Sequence, residues 1–298
     1  MYMSSETQST TAARSRVAIR GARPEEAVVC GQICYDAFFT INQAHGFPPD
    51  LPSPEVGTRL LSMLFSHPGF YCVVAEVDGR IVGSNCLDER SLIGGIGPIT
   101  VDPSAQNRGA GQRLMQAVLD RCGERNSPGV RLVQMAFHNR SLSLYTTLGF
   151  DAREPLSVMQ GPAMKRTIEG YAVRPAEASD VEPCNRLCAR VHGHDRAGEL
   201  AEMIGRGAVV AERHGRITGY ATTLGFFGHA VAETLPDLQA LIASADAFSG
   251  PGILVPTRNG ELFRWCLANG LRVVEPATLM TIGLYNEPAG AYLPSITY

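Results

Sequence analysis

The spacing of apolar and polar positions cuts the chain into short, well-punctuated segments. Residues 17–21 alternate as a strand. Pro24 suits a first helical turn, and Val28, Val29, Ile33 and Phe38 then recur near helical spacing, which predicts a helix over 24 to about 40. A proline-rich loop over 45–54 leads into a second helix, 54–65, with Val56, Leu60, Leu61 and Leu64 on one stripe. Three strands follow: 70–77, then 80–87 across an Asp78-Gly79 turn, then 92–101 after the polar Asp88-Glu89-Arg90. An amphipathic helix is predicted from Gly109 to about Glu124, a strand over 130–136, and a helix capped by Asn139 that runs to Leu148 and stops at Gly149. Phe150 restarts extended chain. The order β-α-α-β-β-β-α-β-α-β packs naturally as a central sheet with helices on both faces.

From residue 171 the pattern begins again. Tyr171-Ala172-Val173-Arg174-Pro175-Ala176 echoes Val17-Ala18-Ile19-Arg20-Gly21-Ala22, and Gly215-Arg216-Ile217-Thr218-Gly219 echoes Gly79-Arg80-Ile81-Val82-Gly83. Asn259 and Trp265 keep the spacing of Asn139 and Tyr145, and Asn269-Gly270-Leu271 echoes Leu148-Gly149-Phe150. The expectation is an α/β (α+β) chain of two tandem copies, each a central mixed, mostly antiparallel sheet flanked by helices. A loose tail over 1–16, a first domain over 17–160, a linker over 161–170 and a diverged second domain over 171–298 complete the division.

Composition adds exclusions rather than a function. The chain has 298 residues, is 45% hydrophobic and 18% charged, and carries a formal charge of −3, which gives no electrostatic case for nucleic acid. No apolar run is long enough for a membrane span, and the Ser/Thr-rich start lacks the apolar core of a secretory signal. The eight cysteines sit mostly in apolar periodic stretches, so a reducing cytoplasm is the expected compartment. Cys184, Cys188 and His192 fall at i, i+4 and i+8, but eight helical residues span roughly 12 Å. That is too far for one zinc ion, and core packing with no metal is the better reading.

Candidate chemistry concentrates between Ile99 and Met115. A strand ending Ile99-Thr100-Val101 runs into Gln106-Asn107-Arg108-Gly109-Ala110-Gly111-Gln112 and then a helix. Two glycines allow close approach and positive φ, and a helix N-terminus offers unpaired N–H groups, a setting suited to a pyrophosphate. Two glycines alone equally describe an ordinary strand-to-helix turn.

Gln106, Gly109 and Gly111 resemble the Gln/Arg-x-x-Gly-x-Gly/Ala signature of the GCN5-related N-acetyltransferase (GNAT) family. Asn139, Leu144-Tyr145 and Leu148-Gly149-Phe150 resemble its second block, at the matching place in the same element order. The resemblance covers roughly residues 17–160. It implies that residues 106–112 hold the pyrophosphate of acetyl-coenzyme A, that Ile99, Thr100 and Val101 flank its pantetheine arm, and that Asn139, Ser141 and Tyr145 face the arm and thiol. It further implies Tyr145 as the acid that protonates the leaving thiolate. Glu89 and Asp88 are the candidate bases, with His138 behind them. Tyr35, Phe38, Phe39 and Glu89 are the expected acceptor pocket, joined at the following loop by His45. The second copy has no such glycine loop between Gly225 and Pro236, and Trp265 replaces Tyr145, which implies one active site. The activity implied is acetyl transfer to a primary amine of a small molecule. A sensing module that binds acyl-coenzyme A without turnover, and acetylation of a protein amine, are the competing readings. The apolar end, residues 288–298, is expected to pack against a domain or a partner chain, which leaves a homodimer open.

Overall fold

The computed structural model describes residues 17–297; the tail placed at 1–16 lies outside them. The first half runs β1 (Ala18–Gly21), α1 (Ala27–His45), α2 (Pro54–Ser66), β2 (Phe70–Val77), β3 (Arg80–Asp88), β4 (Ile93–Ile96), β5 (Thr100–Val101), α3 (Ala110–Glu124), β6 (Gly129–Met135), α4 (Asn139–Thr147) and β7 (Asp151–Gln160). The second runs β8 (Ala172–Pro175), α5 (Val181–His192), α6 (Ala197–Met203), β9 (Val209–Arg213), β10 (Arg216–Ala221), β11 (Ala230–Ala232), α7 (Leu235–Ser244), β12 (Ile253–Pro256), α8 (Gly260–Ala268), β13 (Arg272–Gly283) and β14 (Ala291–Leu293).

Three local expectations change. Pro24 opens a short 3₁₀ turn, Pro24–Glu26, and α1 proper extends to His45. The strand expected over 92–101 is broken, because Gly97 takes φ 144° and Pro98 follows, leaving β4 and β5 as separate pieces. Asn139 does not cap α4: His138 does, its Nδ1 accepting from the Ser141 N–H at 3.1 Å.

The repeat is visible down to its ion pairs. Arg20 on β1 pairs with Glu26 and Glu76, both at 2.6 Å, while Arg174 on β8 pairs with Asp180 and Glu212, both at 2.7 Å. Residues 161–168, between the copies, carry no helix or strand. That segment divides the chain but not the sheet. The larger sheet has the order β1-β2-β3-β4-β6-β13-β7-β12, with β5 on β3, and the smaller β14-β11-β10-β9-β8. β13 of the second half thus lies between β6 and β7 of the first, while β7 lies between β13 and β12. Each half inserts a strand between strands of the other within the larger sheet, while the smaller sheet is built of second-half strands.

The cores follow this plan. Leu114, Met115 and Val118 of α3 pack with Val73 and Val82 of the sheet and with Met280 from the exchanged β13. On the other face α1 crosses α2 almost backbone to backbone: a Cβ on Gly57 would lie 2.6 Å from the Gly31 carbonyl oxygen. This crossing holds the 46–53 loop close against the sheet. Cys184 and Cys188 are buried in the α5 core beside Leu187.

Candidate active site

The site forms where the sheet parts. β4 pairs in parallel with β6 only from Ile93↔Gly129 to Gly95↔Arg131. The chain then leaves β6, and β5 pairs with β3 instead, Gly83↔Val101 and Ser84↔Thr100. Residues 96–101 and 132–135 are left on opposite banks of a cavity of about 560 Å³.

Most of the residues singled out above meet here. Ile99, Thr100 and Val101 line one bank; Gln106, Asn107 and Gly109 line the turn; Ala110, Gly111 and Gln112 line the start of α3; Ser141 and Tyr145 come from α4. The turn is built for close approach. Asn107 and Gly109 take φ of 64° and 85°, and Gly109 is the N-cap of α3 with no side chain capping it. The first N–H groups of α3 are therefore left for an anion, with the positive end of the helix dipole behind them. Gln106 Nε2 donates to the Val101 carbonyl at 3.2 Å and holds the turn against the strand.

Across the gap, burial pushes the Tyr145 phenol up, so its hydroxyl keeps its proton at neutral pH. The Ser141 hydroxyl lies 2.8 Å from the His138 carbonyl and 3.1 Å from Gln134 Oε1. His138 also lines the cavity; burial pushes its imidazole down, and its Nδ1 is committed to the Ser141 N–H.

Other expected site residues lie elsewhere. Arg108 and Asn139 are exposed and do not line the cavity. Glu89 is engaged by Arg121 at 2.7 Å and Arg125 at 3.3 Å, off the cavity, because the β3–β4 turn packs on the C-terminal end of α3. Asp88 is likewise paired with Arg90 at 2.5 Å, and Arg90 reaches Glu202 of the second half. Neither carboxylate sits where a base would act. Of the aromatic set only Phe38 lines the cavity; Tyr35 and Phe39 stack on each other at 5.5 Å and are not among the lining residues. His45 packs against Phe137 with ring centroids 5.3 Å apart and the rings tilted by 37°.

The second half completes the walls. Phe226 and Phe227 of the β10–β11 loop and Ile296 and Thr297 of the C-terminal segment line the cavity, and the Ile296 N–H donates to the Phe226 carbonyl at 2.8 Å. The apolar end therefore packs within its own chain, with β14 on β11.

Two acidic residues were missed. Asp50, in the α1–α2 loop, lines the cavity and accepts from Asn42 Nδ2 at 2.9 Å. Glu275, on β13, is 1% exposed and faces Asp50. Burial and then Asp50 push its carboxyl from 4.5 up to about 8. The usable signal was a lone acid in the otherwise apolar run after Arg272, and an acid among the prolines of the 46–53 loop.

A tandem α/β protein emerges, with interlocked halves and a large cavity opening at an uncapped helix N-terminus. Residues 37–150, within the first half, match the model of the acetyltransferase (GNAT) family. No curated protein matches the chain. Among solved structures, a candidate acetyltransferase from Pyrococcus horikoshii is similar over 96% of this chain and 97% of its own, at 18% identity and TM-score 0.71. A GCN5-related N-acetyltransferase from Sphaerobacter thermophilus is similar over 91% and 96%, at 17% and 0.60. A tandem GNAT protein of the clavulanic acid biosynthesis pathway is similar over 93% and 99%, at 13% and 0.54. At these identities the likeness is one of fold, and the fold is the tandem GNAT architecture. The family whose model matches residues 37–150 is one of acetyltransferases. Among the described residues no helix is long and apolar enough to cross a membrane.

Proposed function

We propose that the first half transfers the acetyl group of acetyl-coenzyme A to a primary amine of a small molecule. The observation that carries this reading is the meeting of the uncapped α3 N-terminus, the parted strands and Tyr145 in one cavity. The donor fits the residues present. A Cβ placed on Gly109 would meet nothing within 4 Å, so the turn has room in front of the helix N–H groups for a pyrophosphate. Bound coenzyme supplies the activated thioester. The amine nitrogen bonds the acetyl carbon, the carbon–sulfur bond breaks, the nitrogen loses one proton and the departing sulfur gains one. Tyr145 holds a proton for that sulfur. Phe226 and Ile296 close the cavity from above with apolar surface, which favours a small acceptor over a protein chain.

Calorimetry with coenzyme A and thiol release from acetyl-coenzyme A with a panel of primary amines test the reading together. Coenzyme binding with amine-dependent thiol release is expected. Binding without turnover across a broad panel would make the protein a sensor, and absence of coenzyme binding would remove the site.

A further inference from the structure

We propose that Asp50 and Glu275 form the ammonium site of the acceptor, a carboxyl pair contributed jointly by the two halves that binds the incoming amine and takes its proton. The proposal rests on the acetyl-transfer reading of the same cavity.

Asp50 is brought to the wall by the short loop between α1 and α2, and Asn42 of α1 fixes it through Nδ2 while also donating to the Pro48 carbonyl at 2.8 Å. Glu275 arrives from the exchanged strand. The β13–β7 register shifts between Val273 and Glu275, and such a bulge re-aims the side chain that follows it. Both Glu275 oxygens are buried with no N–H or hydroxyl partner, and the group they face is the Asp50 carboxyl. Asn42 Oδ1, on the same wall, is buried and also lacks a donor. The site therefore holds acceptor atoms that await hydrogens.

Charge points the same way. Among the described residues no lysine, arginine or histidine contributes to either carboxyl; the other titratable group in the neighbourhood is Cys34 of α1, whose thiol burial pushes up to about 12. Two desolvated carboxyls this close cannot both ionise cheaply, so they share a proton at neutral pH and present one negative charge to the cavity through Asp50, the member of the pair that lines it, with Glu275 buried behind. A primary ammonium on an apolar body complements that charge. Once the pair has lost its shared proton to solvent, it accepts one proton from the bound ammonium and the freed nitrogen lone pair attacks the acetyl carbon. The carbon–sulfur bond breaks as the thiolate takes the Tyr145 proton, the second nitrogen proton restores the Tyr145 hydroxyl, and the pair releases the proton it took to solvent. The ordinary pKa of an amine is about 10. A base titrating near 8 accepts its proton far more readily than an isolated carboxylate would.

Three measurements on the full chain test this. Infrared titration is expected to show a protonated-carboxyl band lost with a midpoint near 8, and its absence in Glu275→Gln. Calorimetry of the coenzyme-saturated protein compares primary amines, hexylamine and 2-phenylethylamine first, with the isosteric alcohols. Amines are expected to bind preferentially, and Asp50→Asn to weaken them about tenfold or more while coenzyme affinity, which also reports folding, holds. The kcat/KM profile is expected to rise through about 8 in the native protein, and Glu275→Gln to lower that midpoint below about 7. A pair that titrates as ordinary carboxylates, alcohols bound as well as amines, or an unmoved pH profile overturns the proposal and leaves acetyl transfer standing. Loss of coenzyme binding in the native protein would instead strike the underlying reading.

Discussion

The two halves place a helix after the same strand, yet they treat its N-terminus in opposite ways. In the first, Gly109 caps α3 with φ 85° and no side chain, leaving the N–H groups open to the cavity. In the second, Thr234 caps α7 in a reciprocal box: Asp237 accepts from the Thr234 N–H at 3.0 Å and from its hydroxyl. Asp237 is fully buried and lies 3.3 Å from Arg213. The second helix thus carries its own anion where the first is left to take one from a ligand. On the proposed function, the same fold and ion-pair frame serve as a binding site or as a closed structural unit according to one helix cap. Tyr145 and Trp265 repeat the contrast, since an indole N–H does not supply an acid at neutral pH.

This contrast can be broken most severely at Gly109. Gly109→Glu gives α3 the carboxylate that α7 already owns. Loss of two charge-assisted hydrogen bonds predicts coenzyme affinity weakened by about 100-fold or more; unchanged affinity by calorimetry would take the pyrophosphate away from this turn. Next comes Tyr145→Phe, expected to cut turnover by roughly 10- to 100-fold with little change in coenzyme affinity. Trp265→Phe should leave turnover alone, and a matched loss in the two variants would dissolve the distinction between the blocks.

The third test is pH-dependent stability. Because the folded Glu275 carboxyl titrates near 8 rather than 4.5, the native state binds more protons than the unfolded chain between those values. Its contribution is therefore present below about 4.5 and is lost as pH rises through about 8. Glu275→Gln should raise Tm at pH 9 by about 5 °C and much less at pH 5, and an equal shift at both would show that the charge is not the cause. The smallest effect is expected at Thr234→Ala, where loss of a cap worth about 1 kcal/mol lowers Tm by about 2–4 °C with coenzyme affinity intact. A fall in affinity there would mean that α7 takes part in the site.

Much of this was legible because it is local. The glycine turn, the α4 block and the repeat of Arg20 as Arg174 are each written within short windows, and the cavity gathers most of the residues those windows contain. The failures have a common origin. Glu89 looked like a base because it ends a strand at the cleft, but the packing of α3 against that turn brings Arg121 and Arg125 onto it. Asn139 looked like a cap because its type is favoured there, but the backbone begins the helix one residue earlier than a cap at Asn139 requires and His138 takes the role.

The sequence by itself determined the elements, the tandem repeat, and which copy keeps an open helix N-terminus, since periods of 2 and 3.6 residues and cap chemistry act over a few neighbours. Only the tertiary structure decided that β13 enters between β6 and β7, and with it that Glu275 meets Asp50 across more than 200 positions of chain. Strand partners are chosen by long-range pairing and burial, not by any local pattern. A single acid in an apolar strand becomes a proton-sharing group when the fold supplies the carboxyl it faces.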